Sequence, residues 1–173
     1  MASSFQGVMG NLVTFVPAAE RQKADYSEIY KGHCHRIYSL AFYLTDNELA
    51  AEELAANTFL RAFALTDAPC TEHIDQALLA EIRELMPIGA LTLDSKVSAE
   101  ASNIRGNTKR VHLERAVVQL PATEKLIFLL HDVENYEHER ISALLGISKE
   151  DSALALHNAR MQVRELVAQQ IRA

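Results

Sequence analysis

Residues 26–44 read YSEIYKGHCHRIYSLAFYL, and the apolar members Tyr26, Ile29, Tyr30, Cys34, Ile37, Leu40, Ala41 and Leu44 recur at steps of three and four. On a helix of 3.6 residues per turn that spacing lines them along one face, whereas a half-buried strand needs alternation at two. The spacing returns along the chain. Thr45-Asp46-Asn47 is punctuation, with Asp46 or Asn47 suited to N-cap a second helix over 48–65 that turns Leu49, Leu54, Phe59, Leu60 and Phe63 inward. Thr66-Asp67-Ala68-Pro69 breaks the pattern, and a third helix over 71–86 carries Ile74, Leu78, Leu79, Ile82 and Leu85 until Pro87 stops it. Residues 87–110 mix Gly, Ser, Asn and Thr with little periodicity, which predicts a linker with a short helix around 95–102. Beyond it, Leu113, Val117 and Leu120 mark a helix ended by Pro121, ATEKLIFLLHDV marks another, and 137–145 and the stretch after Ser148 give two more. No strand series and no internal repeat are visible. The expected fold is all-α: three helices, a linker, then four.

Composition narrows the function classes. At 173 residues the chain could form one domain or two small ones, and 49% apolar content is too high for disorder. It has no run of eighteen apolar residues, so no membrane span is expected. The first residues lack a cationic start, and Asn11 and Pro17 interrupt their apolar part, which argues against a signal peptide. With only Cys34 and Cys70, a disulfide framework is not expected and a cytoplasmic location fits. The net charge of −6 is spread evenly: residues 1–65, 66–110 and 111–173 each carry two more acids than Lys and Arg. That balance disfavours autonomous binding to duplex DNA, though not binding to a protein that itself carries the DNA.

Catalytic and metal signatures are weak. His33-Cys34-His35 places two histidines on opposite sides of a helix, so no shared ion is expected. Glu137-His138-Glu139-Arg140-Ile141-Ser142 has Ser142 where a zinc-binding helix would need a second histidine. No Gly-rich phosphate loop is present, and neither an enzyme nor a cofactor is expected.

Residues 144–166, LLGISKEDSALALHNARMQVREL, carry the most specific local signal. An apolar helix end, Leu144-Leu145, meets a turn glycine, Gly146, and Ser148 then opens a helix long enough to lie in a DNA groove. Asp151 stands three residues after Ser148, close to a capping box. Along Ser148–Asn158 the one lysine, Lys149, is flanked by Glu150 and Asp151.

Two longer stretches resemble the extracytoplasmic-function class of bacterial sigma factors. YSEIYKGHCHRIYSLAFYLTDNELAAEELAANTFLRAF, residues 26–63, resembles that family's region 2, and LERAVVQLPATEKLIFLLHDVENYEHERISALLGIS, residues 113–148, resembles its region 4. Together they cover about half the chain, in the family's order and with a linker between. The resemblance implies an N-terminal arm at 1–21, a region 2-like three-helix bundle at 22–86, a linker at 87–110 and a region 4-like helix-turn-helix domain at 111–173. The arm's Phe5, Val8, Leu12, Val13, Phe15 and Val16 would dock or stay unstructured.

In that family, region 2 docks on core RNA polymerase and melts the −10 promoter element, while region 4 sets its last helix in the major groove of the −35 element. Carried over by position, Glu52, Glu53, Asn57 and Arg61 would face the polymerase. Ser148, Lys149, Ser152, His157, Arg160 and Arg164 would meet promoter DNA. Ala153, Ala155 and Asn158 fall where the family shows Lys or Arg, and the helix at 71–86 keeps one arginine, Arg83, where the family is aromatic and basic. An ordinary solvated face accounts for Arg160, Arg164 and Glu165 as well as DNA contact does. Helix-dipole preference accounts equally for Glu52 and Glu53. The resemblance implies a sigma factor that directs promoter-specific initiation. Alternatives are a sigma mimic that binds an anti-sigma factor or polymerase without reading promoters, and a helix-turn-helix regulator acting alone.

Overall fold

The computed structural model describes residues 18–66, 68–89, 91 and 109–172, and within them every regular element is helical. α1 (Ala18–Thr45), α2 (Glu48–Leu65) and α3 (Thr71–Leu85) pack into one bundle. The α1–α2 turn is built by Asp46 at φ +52° and by Asn47, whose side-chain oxygen accepts from the Ala50 N–H at 3.0 Å as the N-cap of α2. The bundle's interior is Ile37, Leu40 and Leu44 from α1, Ala51, Leu54 and Phe59 from α2, and Ile74, Leu78 and Ile82 from α3. Each large aliphatic side chain buried there contributes about 1.5–3 kcal/mol relative to exposure. Tyr26 stacks on Phe63 with ring centroids 4.7 Å apart, and Tyr30 meets Phe59 edge-on at 4.9 Å, which ties the early turns of α1 to the end of α2.

The second group comprises α4 (Arg110–Val118), α5 (Ala122–Phe128), α6 (His138–Leu145) and α7 (Lys149–Arg172). α7 is its spine and packs against the other three. Leu126, Ile127, Leu129, Ile141, Leu156 and Val163 fill the centre. α5 runs on into a π-helical turn, Leu129–Val133, closed by the Glu134 N–H on the Leu129 carbonyl at 3.1 Å. Asn135 at φ +57° then reverses the chain toward α6. The groups touch where α1 meets α4 and α5 and where α3 meets α6.

The structure corrects several inward assignments. Leu49 and Leu60 are 77% and 68% exposed, and Leu85 and Leu113 are also exposed. In α2 the alanines Ala51 and Ala62 are buried instead, because small residues let the helices of the bundle approach closely. α1 begins at Ala18, inside the segment expected to be an arm, and α4 begins at Arg110, the last residue assigned to the linker. The expected docking residues between Phe5 and Val16 and the expected short helix at 95–102 lie outside the described residues. Among the described residues, no helix is long and apolar enough to cross a membrane.

Candidate nucleic-acid interface

α6 and α7 form the helix-turn-helix. Gly146 sits at φ +71°, a left-handed conformation that glycine adopts without a Cβ penalty, and its N–H caps α6 on the Ser142 carbonyl at 2.9 Å. Two residues on, Ser148 Oγ accepts from the Asp151 N–H at 2.9 Å, so Ser148 caps the start of α7. Ile141 and Leu145 of α6 and Leu156 of α7 are buried, which fixes the two helices as a unit.

One edge of α7 stays in solvent. It carries Lys149, Ala153, Leu154, His157, Arg160 and Arg164. Lys149 pairs with Glu139 of α6, which raises the lysine's pKa and lowers the glutamate's. Arg160 makes a two-pronged pair with Asp132, its Nε lying 2.9 Å from one carboxylate oxygen, and His131 donates to the same carboxylate at 2.9 Å. Burial works to raise the Asp132 pKa, but the hydrogen bonds and charges of Arg160 and His131 outweigh it and hold the carboxyl below the usual range. Arg164 is exposed and, among the described residues, lies 3.5 Å from the Met161 sulfur.

Ser152 departs from expectation. It is 0% exposed and shares a 3.0 Å hydrogen bond with His138 Nδ1, so it faces α6 and cannot reach a groove while that packing holds. Ala155 and Asn158 are buried too. Of the three positions where the family's cations are missing, only Ala153 therefore thins the solvent edge of this helix.

On α2, Glu52 and Glu53 are exposed and Asn57 is half-buried. Leu49, Glu53, Ala56 and Leu60 follow one another at helical spacing along the same exposed stripe. Arg61 points elsewhere. It pairs with Glu81 and Glu84 of α3, so it joins two helices of the bundle.

A further polar cluster has no counterpart in the sequence expectations. Asp75 of α3 is 3% exposed and accepts from Arg36 Nη2 at 2.8 Å, Arg140 Nη2 at 2.8 Å and the Tyr136 hydroxyl at 2.6 Å. The Arg140 guanidinium lies 4.0 Å over the Tyr136 ring. Burial and the Asp75 charge push the Tyr136 pKa up to about 12, which keeps its donor proton in place. The one available signal was an aspartate on an apolar stripe, between Ile74 and Leu78.

Comparison with known proteins agrees with this architecture. Residues 110–163 match the family described as Sigma-70, region 4. The chain is 28% identical over 158 residues to the ECF RNA polymerase sigma factor SigE of Mycolicibacterium smegmatis, an alignment covering 83% of this chain and 62% of that protein. It thus spans less than two thirds of that relative's length. Among solved structures, the sigma factor RpoE from Bartonella quintana, in complex with the anti-sigma factor NepR, superposes with a TM-score of 0.63 at 15% identity, over 83% of this chain and 97% of that one. Residues 110–163 thus match region 4 of the Sigma-70 family, and most of the chain is similar to an extracytoplasmic-function sigma factor.

Proposed function

We propose that this protein is an initiation factor that binds core RNA polymerase and directs it to promoters, with α7 set in the major groove of the −35 element. The α1–α3 bundle takes the part of region 2, and α4–α7 that of region 4. The observation that carries the reading is the solvent edge of α7. Lys149, His157, Arg160 and Arg164 lie along it, behind a glycine turn and a serine cap, and the carboxylates pairing two of them are themselves partly or largely exposed. Exposed pairs are worth at most about 1 kcal/mol, so phosphates or bases can displace them. The net charge of −6 makes free duplex a poor target, which suits a factor whose DNA is delivered by the polymerase. The exposed stripe of α2 supplies the docking face, with Leu49 and Leu60 beside Glu52, Glu53 and Asn57. The test is reconstitution: purified protein with core polymerase, scored for co-elution and for run-off transcripts from genomic fragments. Defined start sites support the reading, and absence of co-elution sinks it.

A second reading is favoured by one observation. Lys149 and Arg160 are both engaged by acids of the chain itself, a surface suited to a sigma mimic that occupies an anti-sigma factor without reading promoters. The solved structure similar in fold holds such a factor. In that case the protein captures an anti-sigma protein, and Arg160→Ala changes nothing in transcription.

A further inference from the structure

The solvent edge of α7 divides into two stripes. Lys149, Ala153, Arg160 and Arg164 follow one another at helical spacing along the first, and Glu150, Leu154, His157 and Met161 along the second. The first carries three cations, the groups that meet phosphates or guanine edges. The second carries no Lys or Arg, and Glu150 at its start repels phosphate, so nothing along it favours the DNA backbone. Leu154 stands in the middle of that second stripe. It is 49% exposed, and among the described residues of α7 no other large apolar side chain is exposed. The buried face of the helix is filled without it, by Ala155, Leu156, Ala159, Val163 and Val167. Its neighbours one turn away, Glu150, Asp151 and His157, are exposed and polar, so Leu154 offers one apolar group and not a patch.

From this division we infer that Leu154 is a specificity-determining residue, which selects a thymine in the promoter by packing against its C5-methyl group. The choice of thymine rests on the reading above, in which α7 enters a major groove. Leu154 lies in the second turn after the Ser148 cap, and a recognition helix brings its N-terminal residues to the base edges. Among the groups that base pairs present in the major groove, the apolar one is the thymine methyl, and the rest are hydrogen-bond donors and acceptors. A leucine held half in water among polar neighbours gains by covering that methyl and gains nothing from the polar edges of the other bases. Ala153 beside it is exposed and too short to hold Leu154 away from the groove floor. The cationic stripe then anchors the helix, and the neutral side chain selects the base.

The test uses the full chain reconstituted with core RNA polymerase. Start-site mapping on genomic fragments first gives a promoter. Each thymine around −35, on either strand, is then replaced by deoxyuridine, which lacks only the methyl. With the unmodified chain, one such replacement should lower start-site-specific transcripts about fourfold, the worth of roughly one buried methylene. Leu154→Ala should show a similar loss on the thymine template and no longer distinguish thymine from deoxyuridine, with co-elution on core polymerase unchanged. If Leu154→Ala loses helix content, Leu154→Gln, which is of similar reach but polar, decides by the same criterion. Indifference of the unmodified chain to every replacement, or a promoter without thymine there, overturns the inference. So does a variant that still prefers thymine. Loss of co-elution in a folded variant overturns it as well, because Leu154 then faces a protein. Absence of defined transcripts from every fragment sinks the functional reading and the inference with it, whereas defined transcripts that ignore the methyl sink the inference alone.

Discussion

α3 and α7 are the two helices whose cations the family resemblance directs at nucleic acid, and the fold treats them in opposite ways. α7 keeps Lys149, His157, Arg160 and Arg164 on a solvent edge, with partners that are themselves partly or largely exposed. α3 turns its buried Asp75 into the seam between the helical groups, while its Arg83 stays exposed beside the end of α6. Exposed ion pairs are weak and screened by salt, whereas a buried charge that loses its partners is costly. α7 therefore stands ready to exchange carboxylates for phosphates by moving side chains alone. Asp75 of α3 loses its partners across the seam only when the helical groups part. Identical residue chemistry yields a contact that exchanges freely in one place and a structural commitment in the other.

The sharpest way to break that comparison is to remove a carboxylate from each side. Asp75→Ala strands Arg36 and Arg140, and breaking a buried pair usually costs about 3–5 kcal/mol. Because parting the groups lets both arginines reach water, the loss should sit near the low end, about 3 kcal/mol by urea unfolding. A change under about 0.5 kcal/mol would show that the seam is not holding the groups. Asp132→Ala, its counterpart beside Arg160, should cost less than about 1 kcal/mol, since both partners reach solvent. It should also strengthen any salt-sensitive DNA retention by the assembled polymerase, having freed a cation.

The smallest effect concerns pH. Burial, followed by the nearby His131, lowers the His138 pKa below 6.5. The unfolded chain then binds the proton more readily, so the stability from neutral His138 is complete above pH 6.5. It declines as pH falls from there toward the lower folded value. Melting temperature should drop modestly between pH 7.5 and 5.5, and His138→Gln should flatten that slope. An unchanged slope would show that the burial of His138 beside His131 does not contribute to stability.

Much of this fold is legible in the sequence. The helices follow from three-and-four spacing, and the turn from Gly146 and Ser148, because periodicity and capping are local. The faces of α2 were not, since ELAAEELAANTFLRAFAL is apolar on so many sides that spacing cannot say whether Leu49 or Ala51 points inward. Ser152 was misassigned for a related reason: a serine on a polar-looking turn carries no mark of the histidine that buries it, fourteen residues earlier. Pairings across long separations left no local trace. Asp132 meets Arg160 from 28 residues away, and Asp75 meets Tyr136 from 61.

The central claim, that the solvent edge of α7 reads promoter DNA once the polymerase delivers it, is tested most directly by Arg160→Ala in a reconstituted holoenzyme. A specific contact worth about 1–3 kcal/mol predicts a loss of roughly 5- to 150-fold in start-site-specific transcripts, with co-elution on core polymerase unchanged. Unchanged transcripts, or loss of co-elution together with transcripts, would contradict the assignment.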